Sequence, residues 1–167
     1  MARIWKFGKD VDTDQILPGR FAPFMLPEGK DVKDYAFIEA RPDFAKHAAE
    51  GDIIVADENF GCGSSREYAP DALRRRKIGG IIAPSFARIF FRNAVNLGIP
   101  LFESAEASTL LKDGDEVTLD INQGKLTTAD GQTLQLPQLP LFATQIIQAG
   151  GLTRYVREHG HFPGEEG

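Results

Sequence analysis

Short apolar runs separated by polar and glycine-rich stretches predict the strands of this chain. The segment RIWKFG alternates apolar and polar residues and predicts a first strand that ends at Gly8. Buried strands are predicted for three apolar runs bounded by polar residues or glycine: DIIVA (52–56), IIAP (81–84) and IPLF (99–102). The segment 113–136 predicts a β-hairpin, with turn residues at Gln123–Gly124 and Asp130–Gly131.

Segments whose apolar residues recur at helical spacing alternate with these strands. A short helix is predicted to end at Gly51, and another is predicted to run through about Lys77. The second helix ends in the basic segment LRRRK, which we interpret as a solvated helix end. The segment SFARIFFRNAVNLG predicts a helix with Ser85 as its N-cap and Gly98 at its end. Two C-terminal helices are predicted on either side of paired glycines. Strands that alternate with helices predict an α/β fold with some antiparallel pairing near its end.

The stretch from residue 20 to residue 42, here called the substrate loop, has no sustained periodicity and contains several prolines. A long irregular segment in a compact domain is usually functional or disordered. We therefore predict that this loop is mobile in the isolated chain and becomes ordered against a partner. Its large apolar side chains, expected to be exposed, are Phe21, Phe24, Met25 and Leu26.

Composition narrows the class of protein. The chain has 167 residues, of which 42% are hydrophobic and 26% charged, as expected for one globular domain spanning 1–167. Its net charge of −5 argues against a nucleic-acid partner. The absence of a long apolar run or signal peptide argues against a membrane protein and favours a cytoplasmic location. The single cysteine, Cys62, excludes an internal disulfide and any multi-thiolate metal site built by this chain alone.

The candidate chemistry lies in NFGCGSSREYAP, residues 59–70, between a predicted strand and a predicted helix. Open α/β sheets bind ligands at this position. Ser64 and Glu67 have the spacing of a capping box, whereas Pro70 fits better if the helix begins a few residues later. In either case, backbone N–H groups, the helix dipole and Arg66 favour an anion site with hydroxyl groups beside it. The alternative from these residues alone is a capped helix with a surface arginine.

Several other sites are disfavoured. The segment has neither the G-x-S-x-G pattern of a nucleophile elbow nor the G-K-[ST] of a phosphate-binding loop. No histidine is near enough in the sequence to act as the base for a serine hydrolase. A stand-alone anion-binding or regulatory module remains an alternative to an enzyme.

Three stretches together resemble a known family: 10–21, 51–73 and 81–100. They are similar to the small subunits of the isopropylmalate isomerase and homoaconitase class, which correspond to the C-terminal swivel domain of aconitase. The resemblance implies an α/β swivel-type domain, with a mixed sheet, helices and a C-terminal helical segment. It also implies a hydro-lyase that isomerises a malate-type acid by removing water and adding it back on the neighbouring carbon.

The resemblance implies a division of labour between two chains. A large partner subunit carries a [4Fe–4S] cluster, held by three cysteines, whose iron acts as a Lewis acid. This chain binds no cofactor, and Cys62 is a spacer. Ser64 matches the catalytic proton acceptor, and Ser65 and Arg66 match groups that bind the substrate carboxylate. The positions expected to support the site are Asp14, Gly61, Gly63, Glu67 and Arg88. Asp14 could instead cap a turn, and Arg88 could form a structural ion pair.

Substrate choice in the family is attributed to residues 20–25, RFAPFM. Arg20, at the entrance, is predicted to bind the third carboxylate of a tricarboxylic acid, although a surface cation is the alternative. The apolar residues that follow resemble the loop of bacterial homoaconitases. The sequence therefore favours homoaconitate over isopropylmalate as the small acid substrate.

Overall fold

The computed structural model describes residues 1–63 and 67–165 and contains a seven-stranded sheet in the order β4-β3-β2-β1-β5-β6-β7. Strands β1 to β4 pair in parallel, and β1, β5, β6 and β7 pair in antiparallel fashion. The strands are β1 Ala2–Lys6, β2 Ile53–Val55, β3 Gly80–Ala83, β4 Leu101–Glu103, β5 Glu116–Asp120, β6 Lys125–Thr128 and β7 Thr133–Gln135. The mixed sheet with helices confirms the predicted fold class.

Helices cover both faces of the parallel part of the sheet. Successive strand residues alternate between two hydrophobic clusters: Ile54 lies in the larger, whereas Ile53 and Val55 lie in the smaller. This burial on both faces explains why the strands read as continuous apolar runs. The helices are α1 Thr13–Ile16, α2 Pro42–His47, α3 Tyr68–Arg75, α4 Arg88–Asn96, α5 Ala105–Leu110, α6 Leu141–Ala149 and α7 Leu152–His159. None of the helices described is long and apolar enough to span a bilayer.

The parallel strands bring three chain segments to one edge of the sheet, here called the carboxyl edge. Lys6 pairs with Val55, and Val55 pairs with Ile82, so the three strands end side by side. The segments that follow them therefore meet at this edge, where open α/β sheets bind ligands.

The structure decides between the two predicted starts of α3 and corrects the predicted start of α4. Helix α3 begins at Tyr68, and its N-cap, Glu67, makes no side-chain capping hydrogen bond. The capping box is therefore wrong for α3, and the later start is confirmed, since Pro70 falls in the first turn, where proline is tolerated. The predicted N-cap Ser85 is also wrong, because α4 begins at Arg88.

The substrate loop is more structured than its sequence predicts. It contains short 3-10 turns, and the ring of Phe21 stacks on Tyr35 with 4.7 Å between centroids. The predicted exposure is therefore wrong for Phe21, which packs against the core, and also for the half-buried Leu26. It is confirmed for Phe24 and Met25, which are 70% and 57% exposed.

Hydrogen bonds fasten the second half of the substrate loop to the body of the protein. The Phe37 amide donates to the Ile16 carbonyl at 2.7 Å. Arg41 donates to the Lys6 carbonyl at 2.9 Å and forms a bidentate pair with Asp113, which lowers the pKa of that carboxyl group. These contacts leave 23–30 as the least anchored part of the loop.

Arg76, in the basic run 73–77, also links the substrate loop to helix α2. Arg76 donates to the carbonyl oxygens of Lys33, Phe44 and Ala48 at 3.1–3.2 Å. The carbonyl of Ala48 lies at the C-cap of α2, where helices leave backbone acceptors unpaired. The interpretation of the run as a solvated helix end is therefore wrong for Arg76.

We predict that the mobility expected of the substrate loop is confined to residues 23–30. Hydrogen exchange followed by mass spectrometry on the isolated chain should show faster exchange in 24–30 than in 32–41, because the second half carries the hydrogen bonds described above. Uniform exchange along the loop would contradict this assignment.

Candidate functional site

Residues 57–67 are here called the glycine loop, and its described part before Ser64 is held against the segment that follows β1. The Gly61 amide donates to the Val11 carbonyl at 2.7 Å, and the Thr13 amide donates to the Cys62 carbonyl at 2.8 Å. These bonds pair the two segments in the manner of a short parallel ladder. The backbone leading to Ser64 is therefore fixed by its neighbour.

The segment that follows β3 holds the glycine loop from the other side. The Phe60 amide donates to the Ser85 carbonyl at 3.1 Å, and the Ala87 amide donates to the Phe60 carbonyl at 2.9 Å. The side-chain hydroxyl of Ser85 accepts a 2.8 Å hydrogen bond from the Asn59 amide. Ser85 therefore acts at the glycine loop and not as a helix cap.

Two glycines are required by the geometry of the loop. Gly61 has φ +86°, and a Cβ there would lie 2.2 Å from Cγ of Phe90. Gly63 has φ +105°, and a Cβ there would lie 3.1 Å from Oγ1 of Thr13. Side chains disfavour this left-handed conformation, so both positions need glycine. The structure thus gives a physical reason for the supporting role predicted for Gly61 and Gly63.

Asn59 joins the two loops that flank β1 and β2. It has φ +62°, and its side-chain amide donates to Oδ1 of Asp10 at 3.0 Å. Asp10 also has a left-handed backbone, at φ +53°. Asparagine and aspartate tolerate this conformation better than other residues with a side chain. The sequence analysis missed this pair, whose only signal is two polar residues that each follow a strand.

Asn59→Ala is expected to lower the free energy of unfolding by about 1–2 kcal/mol more than Asn59→Gly does. Both variants lose the hydrogen bond to Asp10, but only alanine strains the left-handed backbone. Urea unfolding of the two variants measures the difference. Equal stabilities would show that the backbone conformation at residue 59 carries no strain.

Cys62 lies between the two glycines and is half-buried. Burial raises the pKa of its thiol, and the negative charges of Asp12 and Asp10 raise it further. The thiol therefore stays protonated at neutral pH, unlike the thiolate that binds metal. Among residues 1–63 and 67–165, no three histidine, cysteine or acidic side chains are grouped as a metal site requires.

The three residues predicted to do the chemistry lie outside the described residues: Ser64, Ser65 and Arg66. The structure describes their flanks instead. Gly63 precedes them beside α1, and Glu67 follows them as the exposed N-cap of α3. Gly63 and Glu67, the residues on either side, thus lie at the carboxyl edge, where the sequence predicts the site.

Asp14 is the second residue of α1, and Arg88 is the first residue of α4. Asp12, not Asp14, caps α1, through a capping box with Gln15 at 2.7 and 3.0 Å. Arg88 is the exposed first residue of α4. Within the described part of the chain neither Asp14 nor Arg88 has a side-chain hydrogen bond or ion pair. Within the described residues, Asp12 takes the capping role considered for Asp14, and no ion pair of Arg88 is found. The supporting roles of Asp14 and Arg88 stay predictions.

Arg20 does not contact the described part of the glycine loop. Its guanidinium pairs with Glu39 and lies 4.7 Å from the ring centroid of Phe21. From the same substrate loop, Phe24 instead packs edge-on against Tyr68, the first residue of α3, with 5.9 Å between the ring centroids. Nothing in the local sequence signals the Glu39 pairing, because 19 residues separate the two partners.

Three comparisons identify similar proteins. The family model described as the aconitase C-terminal domain matches residues 10–105. The chain is 55% identical to the 3-isopropylmalate dehydratase small subunit 1 of Deinococcus radiodurans, over 99% of this chain and 92% of that protein. It is 52% identical to the homoaconitase small subunit of Thermus thermophilus, over 99% of this chain and 100% of that protein.

A solved structure agrees with these relatives. The crystal structure of 3-isopropylmalate dehydratase from Methanocaldococcus jannaschii is similar with a TM-score of 0.83 and 37% identity, over 95% of this chain and 93% of that chain. The agreement covers both the fold and nearly the whole sequence. The chain therefore belongs to the aconitase family, in the class of 3-isopropylmalate dehydratase and homoaconitase small subunits.

Proposed function

We propose that this chain is the small subunit of a heteromeric hydro-lyase that isomerises isopropylmalate, and that it is inactive without a large subunit. The observation that carries the proposal is the glycine loop fixed at an open carboxyl edge. Asp14, Glu67 and Arg88 are all exposed there. An active site of this kind must shield its charged reacting groups from bulk solvent, so a second protein surface is needed to cover it.

The donor atoms of this chain do not fit a resident iron–sulfur cluster. Such clusters are held by several thiolates, whereas the one cysteine here carries a thiol of raised pKa. We therefore assign the cluster, and the Lewis-acid chemistry that it supplies, to the large subunit.

The proposed steps of this chain concern a proton and a carboxylate. Ser64 accepts the proton from the carbon beside a substrate carboxylate, and the hydroxyl on the neighbouring carbon leaves with its bonding electrons as hydroxide. That hydroxide and the proton on Ser64 together account for the water that is lost. Ser65 and Arg66 hold that carboxylate, because a guanidinium matches its two oxygens. Readdition of water to the other carbon, with return of the proton, completes the isomerisation. Backbone N–H groups near the start of α3 and the charge of Arg66 favour the deprotonated serine.

Three observations favour isopropylmalate over homoaconitate, the substrate that the sequence favours. Arg20, the expected partner of a third carboxylate, is already paired with Glu39. The exposed apolar side chains of the substrate loop include Phe24, whose ring packs against Tyr68 at the start of α3, and the neighbouring Met25, and both suit an apolar substituent. The Deinococcus relative at 55% identity also bears the isopropylmalate name.

Homoaconitate remains the second candidate, because the Thermus relative named for it is 52% identical over its whole length. The experiment is to assemble the chain with its large subunit without oxygen and to measure kcat/KM for both acids. We expect a ratio of about ten or more in favour of isopropylmalate, which corresponds to about 1.4 kcal/mol of discrimination. A preference for homoaconitate would overturn the substrate assignment.

A non-catalytic anion-binding module is the alternative from another class. It predicts that the isolated chain binds isopropylmalate with micromolar affinity and that binding survives Ser64→Ala. Calorimetry on the isolated chain distinguishes the two, since our proposal expects no such binding before the large subunit covers the site.

A further inference from the structure

The Arg20–Glu39 ion pair connects the first residue of the substrate loop to a residue near its end. The pair lies at the surface, with side-chain exposures of 67% for Arg20 and 48% for Glu39. Below it, the guanidinium rests on Phe21, which in turn stacks on Tyr35. Arg20 is therefore oriented by a ring beneath it and a carboxylate beside it.

The position of this pair relates it to the candidate active site. Arg20 follows α1, whose first residue, Thr13, is hydrogen-bonded to the glycine loop at Cys62. Four residues after Arg20, Phe24 packs on Tyr68 at the start of α3. The segment from Thr13 to Phe24, which includes Arg20, therefore contacts the glycine loop at Thr13 and helix α3 at Phe24.

Exposed ion pairs contribute little to stability, typically about 0–1 kcal/mol. The fold therefore does not require Glu39 to be acidic. A carboxylate beside Arg20 does, however, change what the loop offers to a ligand, because it neutralises the guanidinium and repels any further anionic group. Repulsion of the wrong ligand is a common means of specificity.

We propose that Glu39 is a specificity-determining residue that excludes acids with a third carboxylate. Its own carboxylate occupies Arg20, which leaves Phe24 and Met25 to contact an apolar substituent. The inference rests on the proposed function and adds to it the residue that selects among substrates. Glu39 acts through Arg20, so the effect of replacing it must depend on Arg20.

The test uses the assembled complex with Glu39→Gln, which keeps the size of the side chain and removes its charge. The ratio of kcat/KM for homoaconitate to kcat/KM for isopropylmalate is expected to rise about tenfold. Asp34→Asn is the matched control, because Asp34 is an exposed acid in the same loop whose carboxylate has no partner among the described residues. It should leave the ratio unchanged.

The Arg20→Ala background separates recognition from general structural damage. There, Glu39→Gln should no longer raise the ratio, because no cation remains to be released. An unchanged ratio with Arg20 present, the same rise in Asp34→Asn, or a rise that persists without Arg20 would each overturn the inference. Wild-type turnover of isopropylmalate tests the proposed function separately from this change in ratio.

Discussion

Ser64→Ala is expected to lower kcat of the assembled complex by about 10²–10⁴, with KM changed by no more than a few-fold. Alanine removes the group that we assign to proton transfer, which acts in the transition state and contributes little to substrate binding. Steady-state kinetics with isopropylmalate measure both parameters. Ser104→Ala is a suitable control, since Ser104 caps α5 and its loss should cost about 1 kcal/mol of stability without lowering kcat.

Arg66→Lys is expected to show the opposite kinetic pattern from Ser64→Ala, with a larger effect on KM than on kcat. A lysine keeps the charge but cannot form two parallel hydrogen bonds to a carboxylate, so KM should rise more than kcat falls. If Ser64→Ala retained wild-type kcat, or if both variants changed kcat and KM equally, the roles assigned to Ser64 and Arg66 would be wrong.

Gly61→Ala is expected to lower the free energy of unfolding by about 2–5 kcal/mol and to reduce kcat of the complex. About 1–2 kcal/mol comes from the left-handed backbone, and about 1–3 kcal/mol from forcing a methyl group against the buried ring of Phe90. Because Gly61 lies three residues before Ser64, any shift that relieves this clash displaces the glycine loop. Urea unfolding and steady-state kinetics measure the two effects.

Gly114→Ala is the matched control for that variant. Gly114 has φ +85°, almost the same as Gly61, but a Cβ there would meet nothing within 4 Å. It should therefore show only the backbone cost and retain kcat. Equal losses of stability in the two variants would show that Phe90 moves aside easily and that the close contact does not hold the loop.

The strands could be predicted from the sequence because both sheet faces are buried, which leaves uninterrupted apolar runs such as 52–56. Helix α1 was missed because it has only four residues, too few to show helical periodicity, and the six-residue α5 was also missed. Their starts are marked only by the capping side chains of Asp12 and Ser104. The order in the substrate loop was also missed, because it depends on the stacking of Phe21 on Tyr35 across 14 residues.

The location of the candidate site could be predicted, because a glycine-rich segment after a buried strand has a known place in an α/β sheet. The need for glycine at residue 61 could be suspected, but Phe90, the ring that imposes it, is 29 residues away. The pairing of Arg20 with Glu39 could not be predicted either. Surface ion pairs leave no periodic pattern, and the sequence alone therefore left Arg20 as a free cation for a tricarboxylic acid.

The central claim is that this chain completes an active site that neither subunit has alone. The most direct measurement is the rate at which isopropylmalate loses water, followed by ultraviolet absorbance of the unsaturated intermediate. It should be made without oxygen for this chain, for the cluster-bearing large subunit, and for their equimolar mixture. We expect turnover only in the mixture. Turnover by this chain alone, or by the large subunit at the rate of the mixture, would contradict the claim.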